Sequence, residues 1–304
     1  MVSKRIQMLL ALVFVTYVIN RISQNNLNSD RRPRTAERNE SLSSQDQTVT
    51  NDASEENRTT VAPCVISQYD YKGVAMDDPH LVDYIRRELL HPPSPLPYSL
   101  KDPKKEDFSQ FAQSKYAVND ILHGMRGGFF VEAGALDGEF ISNTLYLEKE
   151  LGWRGLLVEP DPETYKLLRQ KHRNAFTINA ALSTTQEATD LILEVKDEIF
   201  GHAHLSKEGV RVKGIPLYSI LLALEIKVVD FFSLDVESFE VKVLESIPWE
   251  KVQFRLMCIE INHIPEGLDY LVKFLTDKGY KFLGVREIDA WFGWPKLLEQ
   301  TMKT

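Results

Sequence analysis

Between residues 128 and 285 the chain alternates short apolar runs with amphipathic stretches, and this alternation limits the fold more than any other feature. GFFVEA (128–133), GLLVE (155–159), residues 175–182, DFFSLDV (230–236), FRLMCIEI (254–261) and residues 280–285 read as strands. Helices are expected at 143–151, 162–172, 240–246 and 266–278. The last places Leu268, Leu271, Val272 and Leu275 on one face and stops at Gly279. Strands that are apolar at successive positions bury both faces, so the pattern predicts a doubly wound, mainly parallel α/β sheet.

Two helices are expected ahead of this region. Asp78 before Pro79 is a cap followed by a proline at the first helical position, with Leu81, Val82, Ile85 and Leu89 on one face, giving a helix to about residue 90. HPPSPLP (91–97) then ends it as a stiff connector, and a second helix covers 108–122.

The N-terminal residues are of a different kind. IQMLLALVFVTYVI (6–19) follows Lys4 and Arg5, and no small-x-small cleavage site lies near its end. As a helix it reaches roughly 21 Å against an apolar bilayer core of about 30 Å. An uncleaved anchor helped by Arg21, Ile22 and snorkelling Lys4 and Arg5 is favoured over a cleaved signal, and both over a soluble core segment. Residues 23–63 are polar and aperiodic, which fits a disordered stem that cannot offset its ordering entropy by burial. They carry two glycosylation sequons, at Asn39 and Asn57, which argue for a lumenal side, whereas Arg21, Arg31, Arg32 and Arg34 after the apolar run favour a cytosolic one by charge count.

Charge excludes one class of partner. Residues 61–304 hold 28 Lys/Arg and 37 Asp/Glu, a net charge of −9, so no nucleic-acid partner is expected.

Chemistry in open α/β sheets gathers at the carboxyl ends of the strands, and here those ends carry acids. The first gives Glu132, Gly134, Asp137 and Gly138; the second gives Glu159 and Asp161; later ones give Asp235 and Glu237, then Glu260, Asn262 and His263. A dinucleotide fingerprint fails, because Leu136 and Glu139 stand where its next two glycines belong. The looser turn around Gly134 and Gly138, with Glu159 placed to accept ribose hydroxyls, suits S-adenosylmethionine. The competing reading is that these glycines only permit a tight turn.

Asp235 and Glu237 are the best candidates for a catalytic base, with Glu260 and His263 next. Each also reads as a strand-end or helix-capping group. No metal site is expected, a divalent ion shared by Asp235 and Glu260 being the less favoured reading, and His202 and His204 read as a loop pair. Cys64 and Cys258 are the only cysteines. A mid-strand Cys258 reads as a small buried residue, with pairing in an oxidising lumen as the alternative.

The runs GGFFVEAGALDGEFISNTLYLE (127–148), GWRGLLVEPDP (152–162) and DVESFE (235–240) resemble the FkbM-type methyltransferase domain over roughly 107–285. The anchor, the stem and DDPHLVDYIRR (77–87) further resemble the Star family of type II membrane proteins. These resemblances imply a Rossmann-like methyltransferase sheet with Glu132, Gly134, Asp137, Gly138 and Glu159 as cofactor ligands. Asp235, Glu237 and His263, singled out above by their place at the strand ends, are the expected catalytic groups.

The division they imply is a cytosolic tip and anchor at 1–22, a lumenal stem at 23–63, a helical extension at 64–126 and the methyltransferase-like domain at 127–304. The implied role is vesicle-mediated trafficking of membrane-protein cargo from endoplasmic reticulum to Golgi, with endosome and plasma membrane as further stations. An active lumenal S-adenosylmethionine-dependent O-methyltransferase is the alternative. Two residues depart from the family pattern: Ser238 replaces a glycine, and Ser114 replaces an aspartate.

Overall fold

The computed structural model describes residues 71–193, 209–296 and 298. The chain divides into Met1–Cys64 and Val65–Thr304. The apolar run at 6–19, the stem with Asn39 and Asn57, Cys64, and the His202/His204 pair lie outside the described residues. Among the described residues no helix is long and apolar enough to cross a membrane.

An eight-stranded sheet forms the centre. Its strands are β1 (Leu90–His91), β2 (Phe129–Ala133), β3 (Arg154–Val158), β4 (Phe176–Ile178), β8 (Val228–Leu234), β9 (Gln253–Glu260), β10 (Lys281–Arg286) and β11 (Asp289–Gly293). The order is β1-β4-β3-β2-β8-β9-β11-β10. Strands β4, β3, β2, β8 and β9 run parallel, while β1 at one edge and β11 and β10 at the other pair antiparallel. The sheet is therefore mixed but mainly parallel, as expected: β10, antiparallel to β11, runs with the core, and only β1 and β11 run against it. A second, three-stranded sheet, in the order β5-β7-β6, contains β5 (Ala181–Leu182), β6 (Thr189–Leu193) and β7 (Val210–Ile215).

The core strands alternate between two apolar layers, as the period of two for a pleated strand requires. Val131, Leu156, Phe232 and Met257 enter one layer, with Leu217–Ala223, Leu244, Leu271 and Leu275. Phe130, Leu157, Phe231 and Leu256 enter the other, with Val118, Leu147 and Leu168. Helices cover both faces, which is why these strands read as unbroken apolar runs.

Several expected elements change bounds for local reasons. Asp78 caps the helix Pro79–Tyr84, accepting from the His80 amide at 2.7 Å, and the segment Ile85–Leu89 continues it as a π-turn. The helix expected from residue 108 starts only at Gln113, because Ala112 is left-handed (φ 61) and Asp107 folds 107–114 into a turn around Ser109 and Ser114. The strand expected at 175–182 splits between the two sheets at Asn179, whose amide donates to the Glu159 carbonyl at 2.9 Å and the Pro160 carbonyl at 3.0 Å. The elements β6, β7, β11 and Leu217–Ala223 carry no expectation from sequence.

Candidate functional site

Strand order reverses between β2 and β8, since β3 and β4 follow β2 outward on one side and β9 lies on the other. The crevice beyond their carboxyl ends is where open α/β sheets bind ligands. Gly134, Leu136 and the segment 235–239 form a partly exposed rim there, above buried Glu132, Glu159, Glu240 and Glu260.

The turn after β2 is held against both neighbouring strands. The Gly134 and Ala135 amides donate to the Val158 carbonyl at 3.1 Å, and the Asp235 amide donates to the Ala133 carbonyl at 3.1 Å. Gly134 has φ +84, and a Cβ there would lie 2.0 Å from the Asp235 carbonyl oxygen. Only glycine allows that approach. Leu136 also adopts left-handed backbone (φ 49), at the position where a dinucleotide fingerprint has glycine.

Glu159 is the best-placed cofactor candidate. One of its oxygens accepts the Leu136 amide at 2.9 Å and the other the Asp161 amide at 2.9 Å. Burial raises its pKa to about 8, aided by the nearby carboxylates of Asp161 and Asp137 and opposed by the two amides. Glu132 is committed inward. Its carboxylate accepts from Ser142 Oγ at 2.9 Å and the Asn143 amide at 2.6 Å. It also accepts from Thr144 Oγ1 at 2.5 Å, and burial raises its pKa against these bonds.

Asp137 caps its own turn, accepting from the Glu139 and Phe140 amides at 2.9 and 2.7 Å. Gly138 (φ +77) packs beside Leu168 and Arg173. Thus Gly134 and Glu159 meet at the crevice, while Glu132, Asp137 and Gly138 build its wall.

The wall also depends on a residue that sequence reading passed over. Arg173 is buried and donates to Glu148 at 3.0 Å, to Ser142 Oγ at 3.3 Å, to Thr144 Oγ1 at 3.1 Å and to the Gly138 carbonyl. A lone arginine after a helix gives no local signal of this role.

The catalytic candidates do come together. His263 Nδ1 lies 3.8 Å from Glu237 and 3.9 Å from Glu260. Asp235 neighbours the same acids: its pKa is pushed well up by burial first, then by Glu237, Glu260, Glu240 and Asp289. Burial likewise lifts Glu240 to about 7, Glu260 to about 8 and Asp289 to about 6. Glu240 looked like the first residue of an ordinary helix. In the fold its Oε1 accepts the Val236 amide at 2.7 Å.

Both departures from the family pattern have local accounts. Ser238 has φ 80 and Glu237 φ 53, so a side chain stands in backbone that favours glycine. Ser114 Oγ donates to Asp107 at 2.6 Å, which brings a carboxylate to the position by another route. Neighbouring Gln113 donates to Asp289 at 2.9 Å and ties this turn to β11. Cys258 is a free thiol buried within β9, and burial raises its pKa.

A reversed parallel core with helices on both faces and acids at the switch is a Rossmann-like methyltransferase fold. Residues 132–282 match the protein-family model for the methyltransferase FkbM domain, and the chain carries that domain there. No curated protein matches the chain. Among solved structures it is similar to a methyltransferase FkbM from Methylobacillus flagellatus KT, with 16% identity over 55% of this chain and a TM-score of 0.35. This match covers 43% of that chain, less than half its length. A precorrin-6y C5,15-methyltransferase from Geobacter metallireducens GS-15 has 13% identity over 63% of this chain and 92% of its own, with a TM-score of 0.35. A SAM-dependent methyltransferase from Aquifex aeolicus has 13% identity over 63% of this chain and 91% of its own, with a TM-score of 0.33.

Proposed function

We propose that the FkbM domain holds S-adenosylmethionine in the crevice between β2, β3 and β8 and supports methyl transfer to an acceptor oxygen. The observation that carries this reading is the pairing of Glu159 with the Gly134 turn. Each Glu159 oxygen accepts one backbone amide, which fixes the carboxylate and leaves lone pairs for two ribose hydroxyls. Gly134 lets the turn come up against the Asp235 carbonyl, 2.0 Å from where a Cβ would stand, and so sets the turn beside Glu159.

S-adenosylmethionine, when bound, supplies an electrophilic methyl group on a sulfonium. The residues of the chain do the rest. Glu159 would accept the ribose hydroxyls and the Gly134 backbone would flank the cofactor. The acceptor hydroxyl must give up its proton as its oxygen is methylated, and Glu237, His263 and Asp235 lie at the adjoining strand end to receive it.

Isothermal titration calorimetry of the full chain with S-adenosylmethionine tests the reading. Above about pH 8, where Glu159 is ionised, loss of a hydrogen bond to a charged group costs about 1.5–3 kcal/mol, so Glu159→Ala should there weaken binding by roughly ten- to a hundredfold. Equal affinities in the two proteins, or no binding by either, would return Glu159 to a purely structural role.

A second reading rests on the N-terminal sequence. The apolar run, the sequons and the likeness to the Star family favour a single-pass type II protein of endoplasmic reticulum and Golgi membranes that assists delivery of membrane cargo. The two readings are compatible in one chain, because anchoring and methyl transfer use different residues.

A further inference from the structure

We propose that Asp235, Glu240 and Glu260 form a divalent-cation site, with oxygen ligands suited to calcium, at the carboxyl ends of β8 and β9. One carboxylate oxygen from each residue lies within 4.8 Å of those from the other two. Two ligands of one ion stand at most twice the metal–oxygen distance apart, which is about 4.6–5.2 Å for calcium and about 4.0–4.2 Å for magnesium. Three oxygens within this span can converge on one ion, and calcium, with its longer bonds and flexible geometry, asks the smaller movement of them.

A second observation separates this cluster from an ordinary group of surface acids. Glu240 and Glu260 are buried, at 0% and 4% exposure, and the Oε2 of each has no hydrogen-bond partner. A buried polar atom left unmatched is unfavourable, and such atoms are uncommon in folded proteins. Their Oε1 atoms, by contrast, are fixed by the Val236 and Asn262 amides, each at 2.7 Å. The backbone thus orients both carboxylates and leaves one oxygen on each for a ligand. An ammonium or guanidinium group would demand directed hydrogen bonds, whereas a hard spherical cation accepts oxygen ligands in flexible geometry.

Asp235 is less buried than the two glutamates and stands on the rim side of the cluster. Calcium takes six to eight oxygens, so the remaining positions would go to water or to an oxygen of the methyl acceptor. That last role rests on the methyl-transfer reading above, whereas cation binding does not.

The test uses the full chain in detergent, freed of metal by chelator and without S-adenosylmethionine, so that failure here is distinct from failure of the cofactor reading. Calorimetric titration with calcium up to about 1 mM spans the weaker range of natural sites. One ion should bind per chain and raise the melting temperature, and Glu240→Gln and Glu260→Gln should each weaken binding at least tenfold. No heat and no change in melting temperature, or unchanged affinity in both variants, overturns the proposal. Should the variants fail to fold, crystals of the wild-type chain soaked in manganese decide the matter by anomalous scattering. A peak in contact with all three carboxylates supports the site, and peaks elsewhere alone, or none, overturn it.

Discussion

Four residues with side chains hold left-handed backbone in the loops that follow β2 and β8: Leu136 (φ 49), Ile141 (φ 51), Glu237 (φ 53) and Ser238 (φ 80). Such conformations cost energy and persist where surrounding contacts over-determine them, often at ligand sites. At Leu136 the return is visible, since that geometry aims its amide at Glu159. At Ser238 the strain accompanies the fold-over of 236–239 that brings the Val236 amide to Glu240. A left-handed residue other than glycine costs about 1–2 kcal/mol, and glycine's extra backbone entropy returns roughly half of that. Ser238→Gly is therefore expected to stabilise the protein by about 1 kcal/mol, raising the melting temperature by about 2–4 °C in calorimetry. An unchanged or lower value would show that the serine conformation carries no net strain.

At the scale of elements, the crevice wall is the loop between β2 and the helix Leu145–Leu151, and Arg173 clamps it. The guanidinium and Glu148 are almost fully buried, at 1% and 0% side-chain exposure, and the remaining donors reach Gly138, Ser142 and Thr144. A buried pair adds little net stability over an apolar pair, but removing one partner strands a charge. Arg173→Met should thus destabilise by about 3–5 kcal/mol, measured by urea unfolding. The double variant Arg173→Met with Glu148→Leu should recover much of that loss. If the single variant matches wild type, the clamp is dispensable and the loop is held by Glu132 alone.

At the scale of the whole molecule, the anchor reading and the methyl-transfer reading predict different genetics. In cells lacking the endogenous protein, deleting Met1–Arg21 should stop surface arrival of a co-expressed membrane cargo, while Asp235→Asn should leave arrival intact and remove methyl transfer. Endoglycosidase should increase gel mobility through loss of glycans at Asn39 and Asn57. Arrival abolished equally by a normally folded Asp235→Asn would make methyl transfer the mechanism of delivery, and protease sensitivity of residues 64–304 in sealed microsomes would reverse the orientation.

The sequence by itself determined the parallel core, because a strand covered on both faces must be apolar at successive positions, and β2, β3, β8 and β9 are. It also determined which acids stand at the strand ends, and the helix Glu240–Ser246 in both bounds, since these follow from chain order alone. Only the tertiary structure decided what those acids do. Whether a carboxylate is spent on the wall like Glu132, offered at the crevice like Glu159, or left with an unmatched oxygen like Glu240 depends on which amides reach it. The sheet edge was decided in the same way, by β11 pairing between β9 and β10. The bond from Gln113 to Asp289 spans 176 positions, and the clamp from Arg173 to Glu148 spans 25. Hydrogen bonds and buried charge act over a few ångströms in space, so no window of sequence contains them.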